Sequence, residues 1–173
     1  SGDECREVLY LLERSPTPFE NIPVHAVQIQ KDGAVQDFRF TYAEEQQSVV
    51  EYALPQQYLY EPNPAILKAG AFRSFASRYG LQKLQQHTHL YTSTAFVPGL
   101  PARSFAIEAI CKYERKAVMA CIPSGKANIT TRNFPAYADV VRKKLGLADG
   151  GDHYVFALTD MEGKKVVVVG KKI

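Results

Sequence analysis

The densest set of chemically capable side chains lies in "KANITTRNFP", residues 126–135. Read as a strand, Lys126, Asn128, Thr130 and Arg132 share one side, and Ala127, Ile129 and Thr131 share the other. Asn133 follows, and Arg142 and Lys143 lie on the next helical stretch. A cation, an amide, a hydroxyl and a guanidinium are the donors that hold phosphate and sugar oxygens. Residues two apart on a strand are about 6.5 Å apart, so such a row could follow a polynucleotide backbone. Arg103 and Lys112 flank the preceding strand. For Arg142, Lys143 and Lys144 a plainer role competes, because cations in the last turn of a helix offset its dipole.

Catalytic chemistry is harder to find. There is no GxGxxG loop and no P-loop lysine. "DGGD" at 149–152 follows a helix and leads into a strand, the reverse of the order that points a helix N-terminus at phosphates. His87 and His89 form an HxH pair with no third metal ligand spaced to join them. No metal site and no catalytic residue is assigned. Lys68 falls on an apolar helical seam with Phe72, Phe75 and Tyr79. It either reaches past them to water or pairs with Glu61 at the end of the preceding strand, fixing the strand–helix joint.

The elements that must position these groups are legible by pattern. Residues 24–30 and 37–42 read as strands joined by the Asp-Gly turn of "KDGA". "AEEQQSVVEY" is a helical candidate, and "REVLYLLE" suits a strand or a short helix. From Tyr58 a clearer unit begins: a strand, then a helix capped by Asn63, opened by Pro64 and stopped by Gly80. Strands at "HTHLYTS" and "SFAIEAI", a helix at "RKAVMAC" and the "KANITTR" strand complete the βαββαβ order of a ferredoxin-like unit. A helix from Pro135 to Gly146, with Tyr137, Val141 and Leu145 on its apolar face, then leads to a hairpin across "MEG".

The bulk numbers fit a globular chain. It has 173 residues, 46% hydrophobic, and no apolar run long enough to span a bilayer, so no membrane partner is expected. Cys5, Cys111 and Cys121 lack CxxC spacing, which suits buried thiols in a reducing, cytoplasmic setting. The net charge of +3 hides a split. Residues 1–62 carry four Lys/Arg against eleven Asp/Glu, and residues 63–173 carry seventeen against seven. A basic half of that kind suits a polyanionic partner.

"YLYEPNPAILKAG", "HLYTS", "ITTRNFP" and "LADGGDHYVFA" together resemble the C-terminal region of bacterial class I S-adenosylmethionine-dependent methyltransferases. That region carries a ferredoxin-like segment and a THUMP-like domain, and the resemblance covers roughly residues 56–173. It implies an RNA-modifying parent enzyme that presents structured RNA, tRNA or rRNA, to an upstream methyltransferase domain. Residues 1–56 would be the strand-rich tail of that domain. S-adenosylmethionine would bind the parent's catalytic domain and not this chain. "EPNPA" is superficially similar to an Asn-Pro-Pro catalytic motif, but Asn63 and Pro64 are explained as a helix start.

The expectation is therefore an α+β chain. An antiparallel strand segment is followed by a ferredoxin-like βαββαβ unit and an αββ THUMP-like extension, spanning residues 57–173. RNA would meet Lys126, Asn128, Thr130, Arg132, Asn133, Arg142 and Lys143. The alternative is an interaction or dimerisation scaffold without nucleic-acid binding.

Overall fold

The computed structural model describes residues 7–12 and 14–173. Its first regular element after the turn at Phe19–Asn21 is a hairpin, β1 (Pro23–Ile29) and β2 (Val35–Thr41). Gly33, at φ 84°, makes the turn between them. Thr41 accepts a hydrogen bond from the Glu44 amide and so starts α1 (Tyr42–Gln47). The candidate strand or helix at "REVLYLLE" is irregular over residues 7–12, and its remainder includes positions outside the described residues.

β3 (Tyr58–Pro62) leads into α2 (Pro64–Ala69), where the Asn63 side chain accepts from the Ile66 amide. The single helix expected to Gly80 is two helices. Gly70 takes the left-handed conformation at φ 77° and ends α2; α3 (Arg73–Tyr79) restarts after it and ends on Gly80. β4 (Gln82–Gln85) and β5 (Thr88–Ser93) form a hairpin, and β6 (Ala102–Lys112) follows. α4 (Arg115–Cys121), β7 (Asn128–Arg132), α5 (Ala138–Leu145), β8 (His153–Thr159) and β9 (Lys165–Lys172) complete the chain.

Seven strands form one mixed sheet in the order β4-β5-β3-β6-β9-β8-β7, with β7 and β8 parallel. Two cores lie on its helix-covered face. Tyr60, Ile66, Phe75 and Tyr91 meet Ala26, Phe38 and Phe40 of the β1–β2 hairpin. Val118, Val141 and Leu145 of α4 and α5 meet Ala127, Val155, Val167 and Val169.

The third core shows that the sheet curls. Leu84 of β4, Leu90 of β5, Leu59 of β3, Phe105 of β6, Val168 of β9 and Leu158 of β8 form one cluster on the opposite face. In a flat sheet β4 and β8, five steps apart, would be about 24 Å apart. The turn of the β4–β5 hairpin instead reaches the C-terminal ends of β7 and β8. There Thr88 Oγ1 donates to the Thr159 carbonyl at 2.7 Å, and Asn133 Nδ2 donates to Gln85 Oε1 at 3.0 Å and Thr88 Oγ1 at 3.2 Å.

Candidate nucleic-acid interface

The curl decides the fate of the polar row. Asn128, Thr130 and Arg132 pair across to Tyr154, Phe156 and Leu158, on the concave face of the sheet. They therefore lie on the concave side, half-buried, with the Arg132 side chain still 36% exposed. Arg132 reaches 2.5 Å from Glu61 Oε1, although β7 and β3 are four strands apart in the sheet order. Asn128 Nδ2 donates to the carbonyls of Gly151 (2.9 Å) and His153 (3.4 Å). Asn133, at φ 49°, is spent on the contact with the β4–β5 turn. Arg142 donates to the Ala127 carbonyl and ion-pairs with Asp149 at 2.7 Å. Of the seven sequence-predicted contacts, Lys126 and Lys143 remain exposed cations without an ion-pair partner among the described residues.

The Glu61–Lys68 pair is corrected. Glu61 is 3% exposed, and its two oxygens are held by Arg103 and Arg132. Strand alternation supplies the reason. Tyr60 faces α2 and α3, so Glu61 faces the other side of the sheet, where Lys68 cannot reach. The break at Gly70 also removes Lys68 from the seam with Phe72 and Phe75, and it is exposed.

A different surface gathers free cations. α4 and α5 pack on each other, with the Arg115 guanidinium against Gly146 at the end of α5. Arg115 and Lys116 of α4 and Lys143 and Lys144 of α5 thus lie on one packed helix pair, all four exposed and none ion-paired among the described residues. Lys144 Nζ lies 4.0 Å from the Tyr113 ring centroid, and Tyr113 meets Phe134 edge-on at 4.9 Å.

Phe134 in turn lines a cleft of about 610 Å³ with Thr131, Asn133, Tyr137 and Lys165. Tyr137 was expected on the buried face of a helix from Pro135. The helix begins only at Ala138, so Tyr137 is its flanking residue and its ring is 85% exposed. An exposed aromatic ring beside hydroxyl and ammonium groups can stack a base and hold its phosphate.

The likenesses of the chain to known proteins fall on these same elements. Residues 102–172 match a THUMP domain-like family. Residues 58–101 match a ferredoxin-like domain. The boundary falls between β5 and β6, so the whole cationic surface, from Lys112 to Lys165, belongs to the THUMP-like region. A crystal structure of a "putative methyltransferase from Porphyromonas gingivalis W83" is similar over 88% of this chain, at 36% identity and a TM-score of 0.81. The chain spans 38% of that protein's length. No curated protein matches.

Arg115, Lys116 and Tyr137 are absent from the sequence-predicted set. The first two are far from Lys143 in sequence and meet it only through helix packing. For Tyr137 the pattern pointed the wrong way, because a residue at the start of a helix shares its apolar period without sharing its burial. Among the described residues no three His, Cys, Asp or Glu side chains are placed to hold a metal ion, and no helix is long and apolar enough to cross a membrane.

Proposed function

We propose that this chain is the RNA-recognition region of a larger S-adenosylmethionine-dependent methyltransferase. THUMP-like domains are generally linked to RNA binding, and the solved relative is described as a methyltransferase. The observation that carries the proposal is the set of Arg115, Lys116, Lys143 and Lys144, exposed and without ion pairs among the described residues, which Lys144 joins through Tyr113 and Phe134 to the Tyr137 cleft. Cations of this kind bind phosphates by releasing counterions, and the cleft admits an unpaired nucleotide. Lys126 and Lys143 keep their proposed contacts. Arg132, Asn133 and Arg142 serve the fold.

S-adenosylmethionine would bind the remainder of the parent. In keeping with that reading, the paired glycines Gly150 and Gly151 sit in a turn after α5 and before β8 and open no helix. A docking surface for that remainder is suggested by Val8, Leu9, Tyr10, Leu11 and Leu12, exposed by 71% to 94%.

Fluorescence anisotropy with a labelled tRNA tests the proposal. Affinity should fall steeply with salt, and Lys116→Ala/Lys143→Ala should flatten the slope of log K against log salt by about 1.5. Tyr137→Ala should weaken binding about 10-fold without changing that slope. A slope unchanged in the double variant removes the surface. A protein that retains no RNA at low salt, and sediments as a dimer, is the scaffold of the alternative expectation.

A further inference from the structure

We propose that Cys111 and Cys121 are a modification site, forming a reversible intramolecular disulfide when the protein meets a peroxide. The two sulfurs lie 3.4 Å apart. Cys111 is the last residue but one of β6 and Cys121 the last of α4, so the short turn through Tyr113 folds one thiol back onto the other. A disulfide needs a sulfur separation of about 2.05 Å. The remaining gap is within reach of side-chain rotation in the last turn of a seven-residue helix.

Access is also present. Both cysteines are only half-buried, at the edge of the α4–α5 core. Cys111 lines a shallow groove with Ile110, Lys112, Lys164, Lys165 and Val166, open to a small oxidant. Two thiols ten residues apart in sequence are equally well read as a pair or as two isolated core residues. Packing of α4 on β6 makes them a pair.

The chemistry balances with hydrogen peroxide as the oxidant. One thiol, as its thiolate, attacks a peroxide oxygen and breaks the O–O bond, giving a sulfenic acid and one water. The second sulfur attacks the first, the S–O bond breaks, and a second water leaves with the remaining thiol proton. Two thiols lose two electrons and two protons, and one peroxide becomes two waters. Burial first, and then the hydrogen bond and charge of Cys121, push the Cys111 thiol up to about 11. The thiolate fraction at neutral pH is therefore small, and the reaction should quicken as pH rises toward 9. Once formed, the bond staples α4, with Arg115 and Lys116, to the sheet.

The test uses the unmodified chain and needs no variant. The folded protein is treated with hydrogen peroxide at pH 7 and 9, alkylated, digested and analysed by mass spectrometry, with and without dithiothreitol. The expected product is a Cys111–Cys121 linked peptide, two hydrogens lighter than its reduced parts, formed faster at pH 9 and lost on reduction. Sulfinic acid at either cysteine without a link, full alkylation of both, or links that run to Cys5 would each overturn the assignment.

Discussion

A buried carboxylate needs partners, and Glu61 has two. Arg103 comes from β6, paired beside it, and Arg132 from β7, across the curl of the sheet, and both meet on it. Removing Glu61 leaves two guanidinium groups facing each other, whereas removing Arg132 leaves the Arg103 pair intact. Glu61→Ala should therefore cost about 3 kcal/mol and Arg132→Ala about 1 kcal/mol, both arginines being partly open to water. Lys68→Met should leave the urea midpoint unchanged. A loss at Lys68 equal to that at Glu61 would restore the pairing that the sequence suggested.

His89 offers a second residue-scale test. Its ring stacks on Phe72 at 3.8 Å, and its buried Nδ1 has no hydrogen-bond partner among the described residues. Burial, and then the charges of Lys83, His87 and Arg132, push its pKa down to about 4 from the ordinary 6.5. Between these values the unfolded chain binds a proton that the folded chain refuses. Stability from this group is thus full above about 6.5 and lost as pH falls toward 4. His89→Phe keeps the stack and removes the titration. Urea midpoints at pH 7 and 4.5 should show the variant losing about 2 kcal/mol less than the parent. Equal losses would mean that His89 takes up its proton without cost to the fold.

At the scale of elements, β6 and β9 form an antiparallel pairing of seven residue pairs that is broken once. The register shifts between Ile107 and Ala109, opposite Gly170. A Cβ at Gly170 would stand 2.5 Å from the Ala106 carbonyl oxygen. Gly170→Ala must push two backbones apart and should cost about 3 kcal/mol by urea denaturation, against about 1 kcal/mol for Gly163→Ala, whose turn has open space. A small loss at Gly170 would show that the bulge adapts freely.

Most elements were legible because local chemistry sets them. Asn63 and Pro64 start α2, Gly146 ends α5, and "MEG" turns β8 into β9. Two boundaries escaped the pattern. Gly70 looked like a tolerated helical glycine, yet its left-handed conformation ends α2. Pro135 looked like a helix start, yet the helix waits for Ala138. The candidate site suffered more than the elements. Strand alternation sorts Asn128 to Arg132 into faces, with Lys126 falling before β7, but it says nothing of which face curls inward. That depends on Leu84, Leu90, Phe156 and Leu158 meeting across the sheet, a non-local fact. The four-cation cluster was hidden for the same reason.

At the scale of the molecule, the boundary proposed near residue 56 can be put to a test. Ala26, Phe38 and Phe40 lie in one core with Phe75 and Tyr91, on the ferredoxin-like side of that boundary. Glu45 ties the two parts more directly. Its carboxylate accepts from the amides of Phe72 (3.0 Å), Arg73 (2.7 Å) and Ser74 (2.9 Å), and from the Ser74 hydroxyl at 2.6 Å, so it caps α3 from outside. The other end of α3 is held by Arg78, which pairs with Glu44 and covers the Phe38 ring. If α1, α3 and the β1–β2 hairpin form one cooperative unit, Glu45→Ala should loosen all of them together. Hydrogen exchange should then speed about 30-fold for amides of residues 24–29, 36–47 and 73–79, the loss of roughly 2 kcal/mol of charge-assisted hydrogen bonding. Amides of β8 and β9, in the separate core under α4 and α5, should keep their rates. Acceleration confined to α3 would instead mark residues 23–47 as an independent piece resting on the ferredoxin-like unit, and the boundary near 56 would be a mechanical one. Equal acceleration everywhere would make the whole curled sheet and its hairpin a single cooperative body.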